Sequence, residues 1–224
     1  MKKVSAVPAA APDARPARKP RGRPRSFDRD QALEQAMEVF WKKGFEGASI
    51  TELTEAMGIN PPSLYAAFGD KENLFLQAVD RYNARRGESC PYCDEATAKG
   101  AVEKLLLYVA DELCCNDHPR GCMMVMAAAT SSSSSAQLQE ALAKKRAASR
   151  ANLKARIERG IKEGDVLPGT NAAELADFYS TIITGMSMLA RDGATRKSLA
   201  ATVENAMRLF PSAKKAVRKA VEAA

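Results

Sequence analysis

Between Asp28 and Tyr82 the apolar residues recur at helical spacing and are cut by start and stop signals at close intervals, which leaves little choice of fold. Asp28 followed by Gln31 reads as a capping box, and Ala32, Leu33, Ala36, Met37 and Phe40 then form one helical face. The pattern stops at Gly44, after Lys42 and Lys43, whose charge complements a helix C-terminus. Ser49 and Glu52 make a second capping box, opening a short helix with Leu53, Ala56 and Met57 inward and Gly58 at its end. Asn60 caps a third helix, also short, with Pro61 at its first position, where no N–H is needed, and Gly69 as its stop. Asp70 caps a fourth, carried by Leu74, Phe75, Ala78, Val79 and Tyr82. Two short helices joined by a tight turn and braced by a longer helix before them predict a helix-turn-helix unit. Its second helix is too short, and too exposed at its N-terminus, for an ordinary core helix. In such units that helix enters the major groove.

The remaining pattern is helical as well. Helices are predicted at about 94–115, 121–130, 135–163, 171–190 and 195–210, with Pro119, Gly164, Pro168 and Gly193 between them. The serine run 131–135 is a polar break that offers a helix cap. No alternation of strand type is visible, aromatics are only 6%, and alanine leads the apolar set, so the chain is expected to be all-α. No run approaches the roughly 18 apolar residues of a membrane span. The basic N-terminus lacks the apolar core of a signal peptide, so the expectation is a cytoplasmic protein with reduced cysteines and no membrane partner.

The net charge of +7 is unevenly placed. Residues 1–26 hold eight Lys or Arg and one Asp, and the other 198 residues hold 26 charges of each sign. Pro8, Pro12, Pro16, Pro20 and Pro24 recur every four residues in this segment, so it is expected to be an extended, disordered arm. Such an arm suits nucleic acid or an acidic membrane surface, or is a solubility tail. Residues 27–85 hold six basic and ten acidic residues, so the folded helix-turn-helix needs help in attracting DNA. The run Arg21-Gly22-Arg23-Pro24-Arg25 resembles an AT-hook core, which makes Arg21, Arg23 and Arg25 candidates for the minor groove beside a half-site.

The stretch AMEVFWKKGFEGASITELTEAMGINPPSLYAAFGDKENLF resembles the TetR/AcrR family of bacterial transcriptional regulators. Gly-Phe follows the first helix, Ser-Ile-Thr opens the second and Gly-Ile ends it. The signature Leu-Tyr-x-x-Phe-x-x-Lys-x-x-Leu stands as Leu64, Tyr65, Phe68, Lys71 and Leu74. The resemblance implies an N-terminal three-helix helix-turn-helix domain and a helical C-terminal domain for effector binding and dimerisation. It places the DNA-binding domain at 27–87 and the regulatory domain at 88–211, between the arm at 1–26 and a basic tail at 212–224 that composition sets apart. The implied partners are a double-stranded DNA operator, a second copy of the chain, and a small-molecule or oxidant effector. The expected DNA-binding residues are Ser49 and Thr51 at a helix N-terminus, Pro61, Pro62 and Ser63 toward base edges, Leu64, the Tyr65 hydroxyl, and Lys71 on phosphate. Two prolines and a serine offer little bidentate hydrogen bonding, so readout here leans on apolar contact with thymine methyls.

For the regulatory half, the resemblance implies a dimer through the last two long helices, with Phe178, Ile182, Ile183, Met186, Val203 and Met207 as the expected contacts and Gly185 permitting close approach. It also implies an effector pocket among the central helices, for which Tyr108, Met123, Met126, Phe178 and Met186 are the candidate linings. All five cysteines, Cys90, Cys93, Cys114, Cys115 and Cys122, fall within 33 residues. Cys90-Pro91-Tyr92-Cys93 copies a glutaredoxin-type motif without the strand and helix that surround it there. With His118 the cluster also offers a tetrahedral zinc or copper set, although the spacing is irregular. Cys122, beside Arg120 and His118 at an expected helix start, is the candidate thiol sensor, with Cys114 and Cys115 near it. No nucleophile–base pair is evident, so neither catalysis nor a cofactor is expected. The sequence reading is a dimeric DNA-binding regulator, a repressor released from a palindromic operator by an apolar ligand or by cysteine modification. A cysteine-rich metal- or redox-handling protein is the alternative, and an architectural binder acting through the arm alone is a third class.

Overall fold

The computed structural model describes residues 27–87, 94–130 and 136–213. The arm with Arg21, Arg23 and Arg25, the Cys90–Cys93 motif, the serine run and most of the basic tail lie outside those residues. Helix α1 (Arg29–Gly47) begins at Asp28, whose carboxylate accepts from the N–H groups of Asp30 and Gln31. The ladder breaks at Gly44, which takes φ 74°, and a further turn carries Phe45 into the core against Phe75. Helix α2 (Ile50–Met57) has both halves of the Ser49–Glu52 capping box, and Gly58 closes it in the left-handed region. Helix α3 (Pro61–Phe68) is capped by Asn60, whose side chain accepts from Ser63 N at 2.8 Å. Helix α4 (Lys71–Gly87) starts with Asn73 N donating to the Asp70 carboxylate at 2.7 Å.

Five more helices follow among the described residues: α5 (Ala98–Cys114), α6 (Met123–Thr130), α7 (Ala136–Glu163), α8 (Ala172–Arg191) and α9 (Arg196–Met207). The described residues hold no strand, only an isolated bridge between Val166 and Ser212. The start expected near residue 94 moves to Ala98, because Thr97 is the residue whose hydroxyl caps the helix through Gly100 N. The start expected at 121 moves to Met123, because Gly121 holds φ 85° and cannot be helical. None of the described helices is long and apolar enough to cross a membrane.

One apolar core runs through both halves. Helix α1 packs on α2 and α4 within the N-terminal head and on α6 beyond it, while α7 packs on α8 and α5 on α9 and α8. Thus α1 is shared. A displacement of α6 or the loop before it would act on the helix that packs against α2 and α4.

Candidate functional site

The exposed surface of the head is made by the two short helices. On α3, Pro61, Pro62, Tyr65 and Ala66 face solvent, Tyr65 at 50% exposure, and Ser63 is half-buried. Leu64, expected among the DNA contacts, is instead fully buried, as is Phe68 one turn on. The pair at i and i+4 is the apolar face that anchors α3 to the head, so Leu64 positions its neighbours and touches nothing outside. At the α2 N-terminus Thr51 is exposed. Ser49 is also exposed, but its N–H and its hydroxyl are both taken by the Glu52 carboxylate at 3.0 Å. Lys43 pairs with the same carboxylate. The Lys43 hydrogen bond first, then those from Ser49, hold Glu52 at a pKa of about 2. An internal anion therefore already engages the Ser49 hydroxyl at this helix end, while Thr51 stands exposed beside it. Lys71 lies over the Phe45 ring, its ammonium 4.5 Å from the centroid, and partial burial lowers its pKa against the opposing pull of Glu46.

Phe27, the first described residue, shares a surface groove with Thr54, Glu55, Gly58, Ile59, Asn60 and Ser63. Phe27 thus lies beside the α2–α3 turn. Arg29 is spent on the head itself, over the Phe68 ring and hydrogen-bonded to Gln77, which in turn donates to Phe68 O at 3.3 Å.

Behind the head lies a polar junction within the core. Cys122 sits directly before α6 and is buried. The Tyr82 hydroxyl of α4 donates to its sulfur at 3.3 Å, and its own N–H donates to Ser187 Oγ of α8 at 2.8 Å. Trp41 of α1 donates through Nε1 to Gly121 O at 2.8 Å. His118, expected beside Cys122, stacks on Trp41 at 4.4 Å between ring centroids, with Nε2 3.8 Å from Glu112. Cys114 lies 3.5 Å from Ala194 O and Cys115 3.6 Å from Asp117. Among the described residues no three His, Cys, Asp or Glu side chains are grouped to hold a metal ion. The described members of the proposed metal set therefore point to separate partners, and Cys90 and Cys93 lie outside the described residues.

Of the proposed pocket linings, Met123, Met126 and Met186 are buried, and Tyr108 and Phe178 are half-buried. On α7, Gln139 Nε2 and Arg146 Nη1 are buried without a hydrogen-bond partner, and burial lowers the Arg146 pKa. Sequence reading missed both, since long polar residues on a helix normally mean a solvated face. It also missed Trp41, Tyr82, Ser187 and Arg191. The one available signal was Ser187, a hydroxyl within the apolar stripe of α8.

The expected dimer contacts divide. Met186, Val203 and Met207 are buried within this chain, filling its own core, and are not available to a partner. Phe178, Ile182 and Ile183 are half-buried. Beside them Met188 and Leu189 stand 42% and 46% exposed, and nothing lies within 4 Å of a side chain added at Gly185. Phe178, Ile182, Gly185 and Leu189 follow a four-three-four spacing, of the kind found where two helices pair.

Residues 32–78 match the family model for bacterial regulatory proteins of the tetR family, and residues 101–206 match the tetracyclin repressor-like C-terminal domain. The HTH-type transcriptional repressor ComR of Escherichia coli is 34% identical over 78% of this chain and 85% of its own length. The repressor BdcR of the same organism is 32% identical, covering 73% and 79%. Among solved structures, a cysteine-substituted form of the TetR family regulator CifR, complexed with 26-bp double-strand operator DNA, is 43% identical. The match covers 85% of this chain and 100% of that one, with a TM-score of 0.81.

Proposed function

The chain belongs to the TetR family of bacterial regulatory proteins and is a transcriptional regulator, not an enzyme; from that premise we propose a homodimeric repressor of a palindromic operator, released by modification of Cys122. The α8 seam of Phe178, Ile182, Gly185 and Leu189 pairs the protomers. Each α3 offers Pro61, Pro62 and Ser63 to base edges and the Tyr65 hydroxyl to phosphate, with Thr51 and Lys71 on the flanking backbone. Arg21, Arg23 and Arg25 add charge beside the same half-site, as the position of Phe27 favours.

The observation that carries the control step is the pair of bonds at Cys122. Its thiol is held from α4 by Tyr82 and its backbone from α8 by Ser187. A sulfenic acid, an adduct or a disulfide at that sulfur changes its volume and hydrogen bonding in a close-packed place, and pushes α4 and α8 apart. A second reading is favoured by the unpaired donors of Gln139 and Arg146: a small, mainly apolar ligand with one acceptor group, seated against Tyr108, Met123, Met126, Phe178 and Met186.

The test selects an operator from random duplexes with the reduced full-length chain, then follows fluorescence anisotropy before oxidation, after a mild thiol oxidant, and after re-reduction. The expected result is a reversible loss of at least about tenfold in affinity for the wild type and none for Cys122→Ser. Tight binding that oxidation leaves unchanged rejects thiol control and turns the search to the ligand.

A further inference from the structure

Arg191 closes α8 and reaches across to the head. Its Nη2 donates to Lys42 O at 2.6 Å and its Nη1 to Trp41 O at 3.3 Å, with Arg120 O 3.5 Å from the same Nη1. Trp41 and Lys42 belong to the last regular turn of α1 before the break at Gly44. Carbonyls there have lost their intrahelical partners and carry the negative end of the helix dipole. A guanidinium, planar and permanently charged, meets several such oxygens at once.

The turn of α8 that carries Arg191 also carries Ser187, four residues earlier, which accepts from Cys122 N. Gly121 lies between the two helices, accepting from Trp41 on one side and leaving 3.2 Å between a would-be Cβ and Ser187 O on the other. The end of α8 thus grips the α1 C-terminus and the loop leading to Cys122 together. Among the described residues Lys145 of α7 also pairs with Asp80, near the middle of α4, and the Tyr82 hydroxyl and Ser187 meet at Cys122. Those ties hold the head along α4, and Arg191 holds it at the end of α1, so the angle is fixed from two separate helices and loosens when the α1 grip is removed.

Resting on the dimeric operator reading above, we infer that Arg191 is a positioning residue for DNA recognition: it fixes the angle of the head on α8 and so the spacing at which the two recognition helices of the dimer meet DNA. Arg191 is exposed and lies at the far end of α1 from the residue that leads into the arm, so its effect is geometric. It bears on how the two half-sites are engaged together and leaves the grip on either one alone intact.

The test uses full-length reduced protein, wild type and the variants Arg191→Met, which keeps the aliphatic stem, and Arg191→Lys, which keeps one charged donor. Each is titrated against the selected palindrome, the same palindrome with one base pair inserted at its centre, and a single half-site. The insertion changes the half-site separation by about 3.4 Å and turns it by about 35°. Wild type is expected to prefer the native spacing strongly. Arg191→Met is expected to lose about tenfold on the native palindrome and nothing on the half-site, so its spacing preference shrinks, with Arg191→Lys between the two. A spacing preference equal to wild type in Arg191→Met overturns the inference. So does an equal loss on palindrome and half-site, which marks damage to the head itself. Wild-type indifference to the inserted base pair refutes the dimeric operator reading, and the inference with it.

Discussion

Replacing Gly121 by alanine strains the junction in two ways that can be separated. Gly121 holds φ 85°, and forcing an L side chain into that region costs about 1–2 kcal/mol. The new Cβ would then stand 3.2 Å from the Ser187 carbonyl oxygen and 3.5 Å from its hydroxyl. A carbonyl inside α8 does not step aside as the tip of a flexible side chain would, and overpacking of this kind costs about 1–3 kcal/mol. Relief needs a shift of only a few tenths of an ångström, so the lower end of that range applies, and the two costs together come to about 2–3 kcal/mol. Gly164→Ala supplies the comparison: its φ is 77° but nothing lies within 4 Å of an added Cβ, so it carries the backbone cost alone. Trp41 is the sole tryptophan of the chain, 3% exposed and bonded to Gly121 O, so its emission reports both urea unfolding and the state of the junction. Gly121→Ala is expected to lose about 1 kcal/mol more than Gly164→Ala and to shift native Trp41 emission, which Gly164→Ala leaves in place. Equal losses in the two variants, with unchanged emission, refute the close approach of this loop to α8.

Glu52 has its pKa at about 2 when folded, below the ordinary carboxylate value, so the stability it adds is present at neutral pH and is lost as pH falls from about 4.5 toward 2. Glu52→Gln is therefore expected to flatten the acid limb of a plot of melting temperature against pH, and parallel limbs contradict the assignment. Burial pushes the Tyr179 phenol up to about 12, above its ordinary value of about 10, so its contribution is intact below pH 10 and is lost as pH rises from 10 to 12. Tyr179→Phe is expected to lose less stability than wild type across that alkaline window; an equal loss in both is the contrary result. A chain beginning at Phe27 is expected to bind the operator more weakly, with a slope of log affinity against log salt shallower by about 3, roughly one unit each for Arg21, Arg23 and Arg25. An unchanged slope removes the arm from the interface.

The head was legible because its boundaries are written locally. Asp28, Ser49 with Glu52, Asn60 and Asp70 each bond a backbone N–H within three residues, so a short window holds the whole signal. Leu64 shows what a motif hides: its place in the signature suggested contact with DNA, yet its i, i+4 relation to Phe68 already marked the inward face. The expected dimer stripe divided for a related reason. Met186, Val203 and Met207 share apolar faces with residues that remain open, and periodicity does not distinguish a chain's own core from a partner's. The junction was beyond reach altogether. Trp41 meets Gly121 across 80 positions and Arg191 meets Trp41 across 150, and no local spacing encodes such pairings.

The measurement that bears most directly on the account is the stoichiometry and selectivity of the complex between the reduced full-length chain and its selected palindrome. Native mass spectrometry would count protomers per duplex, and anisotropy at 150 mM salt would compare the palindrome with a scrambled duplex of equal length. The account predicts an even number of protomers per palindrome and a preference of about a thousandfold or more over the scrambled sequence. A single protomer saturating the duplex, or equal affinity for both sequences, would contradict it.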